Sequence, residues 1–463
     1  MITTHLQPHQ QRALERALEN NIILAHGMGS GKTLSALAIA DALGKPTTAL
    51  VPAPTVENFK REIAKHKKGG PPVNVISLPT AVSRDLSIPK GNTVILDEAH
   101  AFRNPSQRSS YIRQALKRAG RVVALTGTPA YNKSEDWIPL VNLVSGKKTI
   151  ESLDPYIKER QIPLSFWERL QGVKPGVVAE LTRRRQLREQ VSPYVDIFDE
   201  KLEMPDRVDK DVMVPLSKEQ IRLYRAIQDR LPYSLVYKLK NNLPPSKAES
   251  KNLNAFLAGI RQVSNTTQAF EKDELPKEKL EEDSPKLKVA VEDILKQLKK
   301  NPKARTFVYS NYLDAGVTPM SRLLKAHKIK HAIFSGSLSP KEREQIINDY
   351  NTGKLPVLLG TGAASEGLNL KRTNLVEILE PHFNNARIEQ AIARGIRYKS
   401  HEGLPPDQRK VQVNRYYGTL DNDRSWWDKL WGNDAETSVD LYLKSRSEEK
   451  DRLINDIKET LKG

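Results

Sequence analysis

The segment Ile22-Ile23-Leu24-Ala25-His26-Gly27-Met28-Gly29-Ser30-Gly31-Lys32-Thr33 joins an apolar run of strand length to a glycine-rich turn, and residues 34–43 beyond it suit a helix. Strand, loop and helix in that order are the context a phosphate-binding loop demands. Gly29 and Gly31 let backbone N–H groups come close to phosphate oxygens, and Lys32 supplies a point charge to the β and γ phosphates. Thr33 offers a hydroxyl to Mg2+, while the helix that follows presents its positive end to the anion. His26 occupies the position where the general pattern has its first glycine. Read by itself, the segment is therefore either this loop or an ordinary glycine-rich turn.

Leu96-Asp97-Glu98-Ala99-His100 decides between the two. Another apolar run ends there in two adjacent carboxylates, which rarely serve a core. Asp97 suits Mg2+, and Glu98 can orient or deprotonate an attacking water. Leu125-Thr126-Gly127-Thr128-Pro129 ends a third run in small hydroxyl residues, placed to sense a nucleotide or simply to turn the chain. ATP with Mg2+ is the expected ligand pair.

Short runs rich in branched residues recur at 22–24, 48–51, 93–96 and 122–125, and again at 306–309, 331–334, 357–359, 375–379 and 411–413. Their spacing predicts buried parallel strands alternating with helices, hence an α/β chain of two lobes, 1–145 and 285–420. Residues 146–284 lack that rhythm. They are expected to form a mainly helical insertion containing the basic run Arg183-Arg184-Arg185, with a polar linker over 271–285. In the tail, 421–463, Val439, Leu443, Leu453, Ile457 and Leu461 recur among charges, which predicts a closing amphipathic helix with a break or kink around 446–450.

The formal net charge of +18, from 74 Lys and Arg against 56 Asp and Glu, points to a polyanionic partner, nucleic acid first, or to a charge-rich solvated surface. The absence of cysteine excludes disulfides, iron-sulfur clusters and cysteine-based zinc sites, and suits a reducing compartment. The nine histidines lack ligand-like spacing. Met1-Ile2-Thr3-Thr4-His5 opens no secretion signal and no apolar stretch reaches membrane length, so a cytoplasmic or otherwise intracellular location is expected.

The same blocks carry a resemblance. His26 to Thr33, the run Leu96-Asp97-Glu98-Ala99-His100-Ala101-Phe102-Arg103-Asn104-Pro105, and Leu125-Thr126-Gly127-Thr128-Pro129-Ala130-Tyr131-Asn132 resemble motifs I, II and III of Snf2-like ATPases of helicase superfamily 2. Leu6-Gln7-Pro8-His9-Gln10 resembles that family's opening segment, and Leu50-Val51-Pro52 with the run from Glu57 resembles motif Ia. Phe307-Val308-Tyr309-Ser310-Asn311 resembles motif IV, Gly360 to Leu370 motif V, and Gln390-Ala391-Ile392-Ala393-Arg394-Gly395-Ile396-Arg397 motif VI. Leu257 to Asn265 also resembles a Snf2 element. Ala393, Gly395 and Ile396 depart from the usual glycine, alanine and histidine, and the run from Arg394 to His401 looks closest to members encoded by phages and large DNA viruses.

The resemblance implies two RecA-like lobes with parallel sheets. It also implies Gln10 at the adenine, and Met28, Gly29, Ser30, Gly31, Lys32, Thr33, Asp97 and Gly367 around ATP and Mg2+. Gln390 and the arginine fingers Arg394 and Arg397 complete the site. The two arginines stand three apart, which on a helix puts both on one face within reach of one γ-phosphate, or else leaves two solvated side chains. Pro52, Thr55, Thr128, Ser310, Asn311 and Thr361 take motif positions along a nucleic-acid backbone, where the hydroxyls and the amide either contact phosphate or cap strand ends.

Phe166 and Trp167, among Lys158, Arg160, Arg169, Lys174 and the arginines 183–185 and 188, belong either to a DNA-touching or fork-splitting element or to a solvated helix face. Trp426, Trp427 and Trp431 either stack bases or pack a terminal helix. The implied function is ATP hydrolysis coupled to translocation on DNA, expressed as remodelling, fork or junction unwinding, or branch migration. The alternatives are an RNA or transcription-complex motor and a nucleic-acid-binding scaffold with a decayed ATPase. The intact phosphoryl-transfer set speaks against the scaffold.

Overall fold

The computed structural model describes residues 1–27, 30–102, 104, 106–127, 134–198, 204–362, 368–397, 400–405, 408–421 and 436–462. The strands are β1 (Ile22–His26), β2 (Thr47–Val51), β3 (Val73–Ser77), β4 (Thr93–Leu96), β5 (Arg121–Thr126), β6 (Ile157–Gln161), β7 (Val177–Leu181), β8 (Val195–Phe198), β9 (Asp206–Pro215), β10 (Thr306–Ser310), β11 (His331–Phe334), β12 (Val357–Thr361), β13 (Leu375–Ile378) and β14 (Lys410–Thr419). Every apolar run of the two predicted series is a strand. They form two six-stranded parallel sheets, ordered β3-β2-β4-β5-β1-β8 and β11-β12-β10-β13-β14-β9, and a two-stranded ribbon of β6 and β7.

The chain divides into two compact units. One comprises 1–158, 179–202 and 450–463, and the other 159–178 and 203–449, so both draw on the 146–284 stretch. In the first unit, Ile22 and Leu24 join a core on one face of the sheet while Ile23 and Ala25 join a core on the other, and β4 and β5 alternate likewise. A strand buried on both faces needs no polar positions, which is why these runs read as continuous apolar blocks. The second unit repeats the scheme: Val308 faces one core, Phe307 and Tyr309 the other. A further core packs the helices Lys218–Gln228, Tyr233–Lys240 and Lys247–Asn265.

Three expectations need correction. The 146–284 stretch carries helices but also supplies four strands, β6 to β9, of which β8 and β9 are the edge strands of the two sheets. Asp206-Arg207-Val208-Asp209-Lys210-Asp211 hides β9 because an edge strand with one face open to water tolerates alternating charge. The polar 271–285 stretch is not simply a linker: it contains the helix Lys277–Glu282, whose Leu280 is buried in a core. The closing helix, Val439–Lys462, runs without a break. None of the helices described is long and apolar enough to cross a membrane.

One buried group works against stability. Glu377, on β13, is fully buried with one carboxylate oxygen unpartnered, while the other accepts from Tyr416 Oη at 3.1 Å. Burial first, and then the charge of Asp293, push its carboxyl well above the usual range. The folded state thus holds a proton that the unfolded chain has lost, so this contribution to stability declines as pH rises above the ordinary carboxylate range. Glu377→Gln is expected to raise unfolding free energy at neutral pH by about 1 kcal/mol or more. Urea melts across pH 5 to 8, the span above the ordinary carboxylate value, are expected to show a weaker pH dependence in the variant.

Candidate active site

In a parallel sheet the loops after the carboxyl ends of the strands form one edge. β1 and β4 are separated only by β5, so the loops they feed lie about 10 Å apart, two strand spacings. The helix Lys32–Ala42 begins directly after Gly31, whose φ of 75° is left-handed and costs a glycine nothing. A side chain there would also collide with Gln10, since a Cβ would lie 2.6 Å from Gln10 Nε2.

Gln10 is buried, with Nε2 3.4 Å from the carbonyl oxygens of Ser30 and Gly31 and Oε1 accepting from Gln7 N. Lys32 Nζ donates to the carbonyls of His26 and Gly27 at 2.9 and 3.0 Å, which sets its ammonium in the loop itself. Ser30 Oγ closes the turn on Gly27 O at 2.7 Å. Thr33 follows at the start of the helix, half-buried. Met28 and Gly29 lie outside the described residues, as do Thr128 and Gly367.

The departure at His26 has a structural cause. Its Nε2 lies 2.7 Å from Asp196 Oδ2, and both side chains are fully buried. Asp196, on β8, also takes two hydrogen bonds from Arg12 and one from Arg16. Burial pushes this carboxyl up, but the hydrogen bonds from His26 and Arg12 outweigh it and hold it at about 2. Burial lowers the His26 pKa despite Asp196, so the ring is neutral and donates through Nε2.

His9 stacks on Phe198 at 3.7 Å between ring centroids and bonds Ser30 O through Nε2 at 2.9 Å. The base of the loop is thereby tied to the edge strand by residues that sequence reasoning did not assign. Their one visible signal was an acid inside the apolar run Val195-Asp196-Ile197-Phe198. Asp196→Asn is expected to lower unfolding free energy by about 3 kcal/mol at pH 7. Because the folded pKa lies below the unfolded value, this stability is present above the ordinary carboxylate value and is lost as pH falls toward 2. The gap between variant and wild type in urea melts should close over that window.

At the end of β4, burial and then the charge of Glu98 push the Asp97 carboxyl up to about 6, against the Glu98 N–H and the charge of Lys32. Glu98 sits at φ 50°, a left-handed conformation rare for a glutamate and typical of strained functional positions. Its carboxylate is 3.3 Å from His100 Nδ1, and the same nitrogen is 3.3 Å from Thr126 Oγ1 at the end of β5. One ring atom therefore serves both the acid pair and the hydroxyl that opens the third motif.

Pro52 and Thr55 lie at the turn after β2, partly exposed, with Thr55 Oγ1 donating to Pro52 O at 2.9 Å. In the second unit, β12, β10 and β13 are neighbours, so their carboxyl ends share an edge. Glu380, fully buried there, accepts from Ser310 Oγ, from Asn311 N and Nδ2, and from Asn265 Nδ2. Ser310 is itself fully buried, so its hydroxyl serves Glu380, whereas Asn311 and Thr361 are half-buried. A Cβ at Gly362 would lie 2.1 Å from Arg387 Nη2, which places the unassigned Arg387 guanidinium over that strand end. The element 257–265 belongs to this unit, held by Asn265 on Glu380 and by Arg261 Nη2 on Pro381 O at 2.8 Å.

Gln390 and Arg394 lie on the helix Asn385–Gly395, both half-buried. Arg397 does not share that helix face. Gly395, a poor helix former pressed against Thr373 and Val376, ends the helix, and Arg397 Nε folds back to Ala393 O at 3.3 Å. Among the triple arginines, Arg184 pairs with Asp456 and Arg185 with Glu189.

Two parallel α/β units, one with a phosphate-type loop and an acid pair at its sheet edge, define a two-lobed ATPase core of the helicase kind. The SNF2-related domain family matches residues 81–269, and the helicase conserved C-terminal domain family matches 289–399. An Acanthamoeba polyphaga mimivirus protein, provisionally named ATP-dependent RNA helicase L538, is 30% identical over 97% of this chain and 95% of its own length. The termination factor NPH-I homolog of African swine fever virus (isolate Tick/Malawi/Lil 20-1/1983) is 24% identical over 95% of this chain and 75% of its own. The solved Sulfolobus solfataricus SWI2/SNF2 ATPase core in complex with dsDNA aligns at 18% identity over 99% of this chain and 95% of that one, with a TM-score of 0.38. The chain belongs to the SNF2-related helicases, a family of ATP-dependent, nucleic-acid-binding proteins with two RecA-like lobes.

Proposed function

We propose that this chain hydrolyses ATP and converts the hydrolysis into movement along duplex DNA, seen as fork or junction unwinding, branch migration or remodelling. The observation that carries the reading is the Lys32 ammonium resting on the carbonyls of His26 and Gly27 within the loop, contacts that the β and γ phosphates replace. Gln10 reads the adenine edge, and the loop from Met28 to Thr33 with Gly367 surrounds the phosphates. Glu98 orients and deprotonates the attacking water, and Gln390, Arg394 and Arg397 supply the second lobe's share of the site.

Thr33 and Asp97 fit Mg2+. A carboxyl pushed up to about 6 by burial and then by its neighbouring acid is the group a divalent cation would relieve, and Mg2+ asks for only one or two protein carboxylates beside phosphates and water. Bound there, it neutralises charge on the transferred phosphoryl group. The net charge of +18 supports a grip on the sugar-phosphate backbone, with Pro52, Thr55, Thr128, Asn311 and Thr361 along it. Ser310 drops out of that group, because its fully buried hydroxyl is spent on Glu380, whereas the half-buried Asn311 amide keeps a second hydrogen beside the one it gives Glu380.

A second reading, a motor on RNA or on a transcription complex, is favoured by the names of the two viral relatives. Displacement of a third strand from a DNA triplex tests the choice, since it requires tracking along duplex without separating it. ATP-dependent displacement supports the DNA reading. Its absence, together with ATP hydrolysis stimulated by RNA alone, moves the chain to the second.

A further inference from the structure

Between β6 and β7 the chain forms a five-residue helix, Phe166–Leu170, whose three apolar side chains are all exposed. Phe166 is 72% exposed, Trp167 68% and Leu170 67%, while Glu168 is partly buried against the neighbouring helix. Glu168 accepts from Ser165 N at 2.6 Å and from Tyr237 Oη at 2.9 Å. Next to it, Tyr233 Oη donates to Gln171 Oε1 at 3.0 Å and Lys174 N donates to Ser234 Oγ at 3.1 Å. Gly176 presses on Pro244, where a Cβ would lie 2.5 Å from the carbonyl oxygen. The segment is thus clamped by its polar side onto the helix Tyr233–Lys240 and its surroundings, and it holds two aromatic rings, 5.6 Å apart and nearly perpendicular, in the open.

Clustered exposed apolar groups on an anchored support mark a binding surface. The flanking charge narrows the occupant: Arg160, Arg169 and Lys174 are exposed, whereas Glu159 is paired with Lys247 and Glu168 is engaged by Ser165 and Tyr237. Rigid aromatic faces on a segment whose exposed cations Arg160, Arg169 and Lys174 outnumber its acids Glu159 and Glu168 suit unpaired nucleobases, which stack while their phosphates meet the cations.

We propose that Phe166 and Trp167 form a stacking platform for the bases of single-stranded nucleic acid, such as the free arm of a fork. The proposal deepens the nucleic-acid motor reading and rests on it. Leu170 extends the apolar surface beside the rings.

The test uses the full chain, with fluorescein-labelled oligo-dT, blunt duplex DNA and forked duplex DNA as probes in anisotropy titrations. The paired substitution Phe166→Ala and Trp167→Ala is expected to weaken oligo-dT and fork binding by roughly tenfold. Blunt-duplex affinity, duplex-stimulated ATP hydrolysis and melting temperature should stay unchanged, because both rings are exposed. Trp167→Phe alone should keep most of the oligo-dT affinity, whereas Arg160→Ala should weaken all three probes alike. Unchanged oligo-dT and fork binding in the paired variant overturns the platform and leaves the knob to a protein partner. Failure of the motor reading shows separately, as wild-type ATP hydrolysis that no nucleic acid stimulates, while the oligo-dT titration remains readable.

Discussion

Glu98→Gln is expected to leave the fold and ATP binding intact while lowering ATP turnover by roughly 10³-fold, the range lost with a general base. The amide keeps the shape of the side chain and can still meet His100, but it cannot take a proton. Glu98 suits the experiment because it is half-exposed and carries no core, and its left-handed backbone is fixed by the turn after β4. The check is steady-state kinetics beside titration with a fluorescent ATP analogue. A fall in kcat with unchanged nucleotide affinity assigns Glu98 to the water. A change below tenfold would remove it from that role.

Arg394→Ala is expected to cost as much or more in the nucleic-acid-stimulated rate, about 10³-fold, because an arginine finger acts on charge that develops only in the transition state. Arg394 stands in the last turn of the helix Asn385–Gly395, on a scaffold whose Ile388, Ala391 and Ile392 are buried in the second unit. Arg394→Lys should recover little, since an ammonium lacks the planar fork that meets two phosphate oxygens. Single-turnover hydrolysis with saturating duplex DNA reads the effect. A loss in ATP affinity with an unchanged chemical step would make Arg394 a binding residue instead.

The strands of both sheets were legible where burial on two faces demanded apolar residues, as in Ile22 to Ala25 or Phe307 to Tyr309. They were illegible where three-dimensional partners relaxed that demand. β8 carries an acid in mid-strand because Arg12, Arg16 and His26 surround it, and the His26 partner lies 170 residues away in sequence. β9 carries alternating charges because Arg207 and Arg415 pair with Asp209 and Glu389 along the edge of the second sheet. The same principle explains the site. Lys32, Asp97 and Glu98 belong to local motifs and could be read directly, and so could the departure at His26, but its cause could not. Arg397 was set on a helix face from spacing alone, which carried no information that Gly395 would end the helix first.

The central claim is that the site built on Lys32, Asp97 and Glu98 hydrolyses ATP under the control of bound nucleic acid. Its most direct test is steady-state ATP hydrolysis by the full chain, alone and with saturating duplex DNA, single-stranded DNA, a four-way junction and RNA, beside Glu98→Gln under the same conditions. The account predicts slow hydrolysis alone, strong stimulation by duplex or junction DNA, and loss of both in the variant. Hydrolysis that is absent with every polymer, or equally fast in the variant, would contradict it.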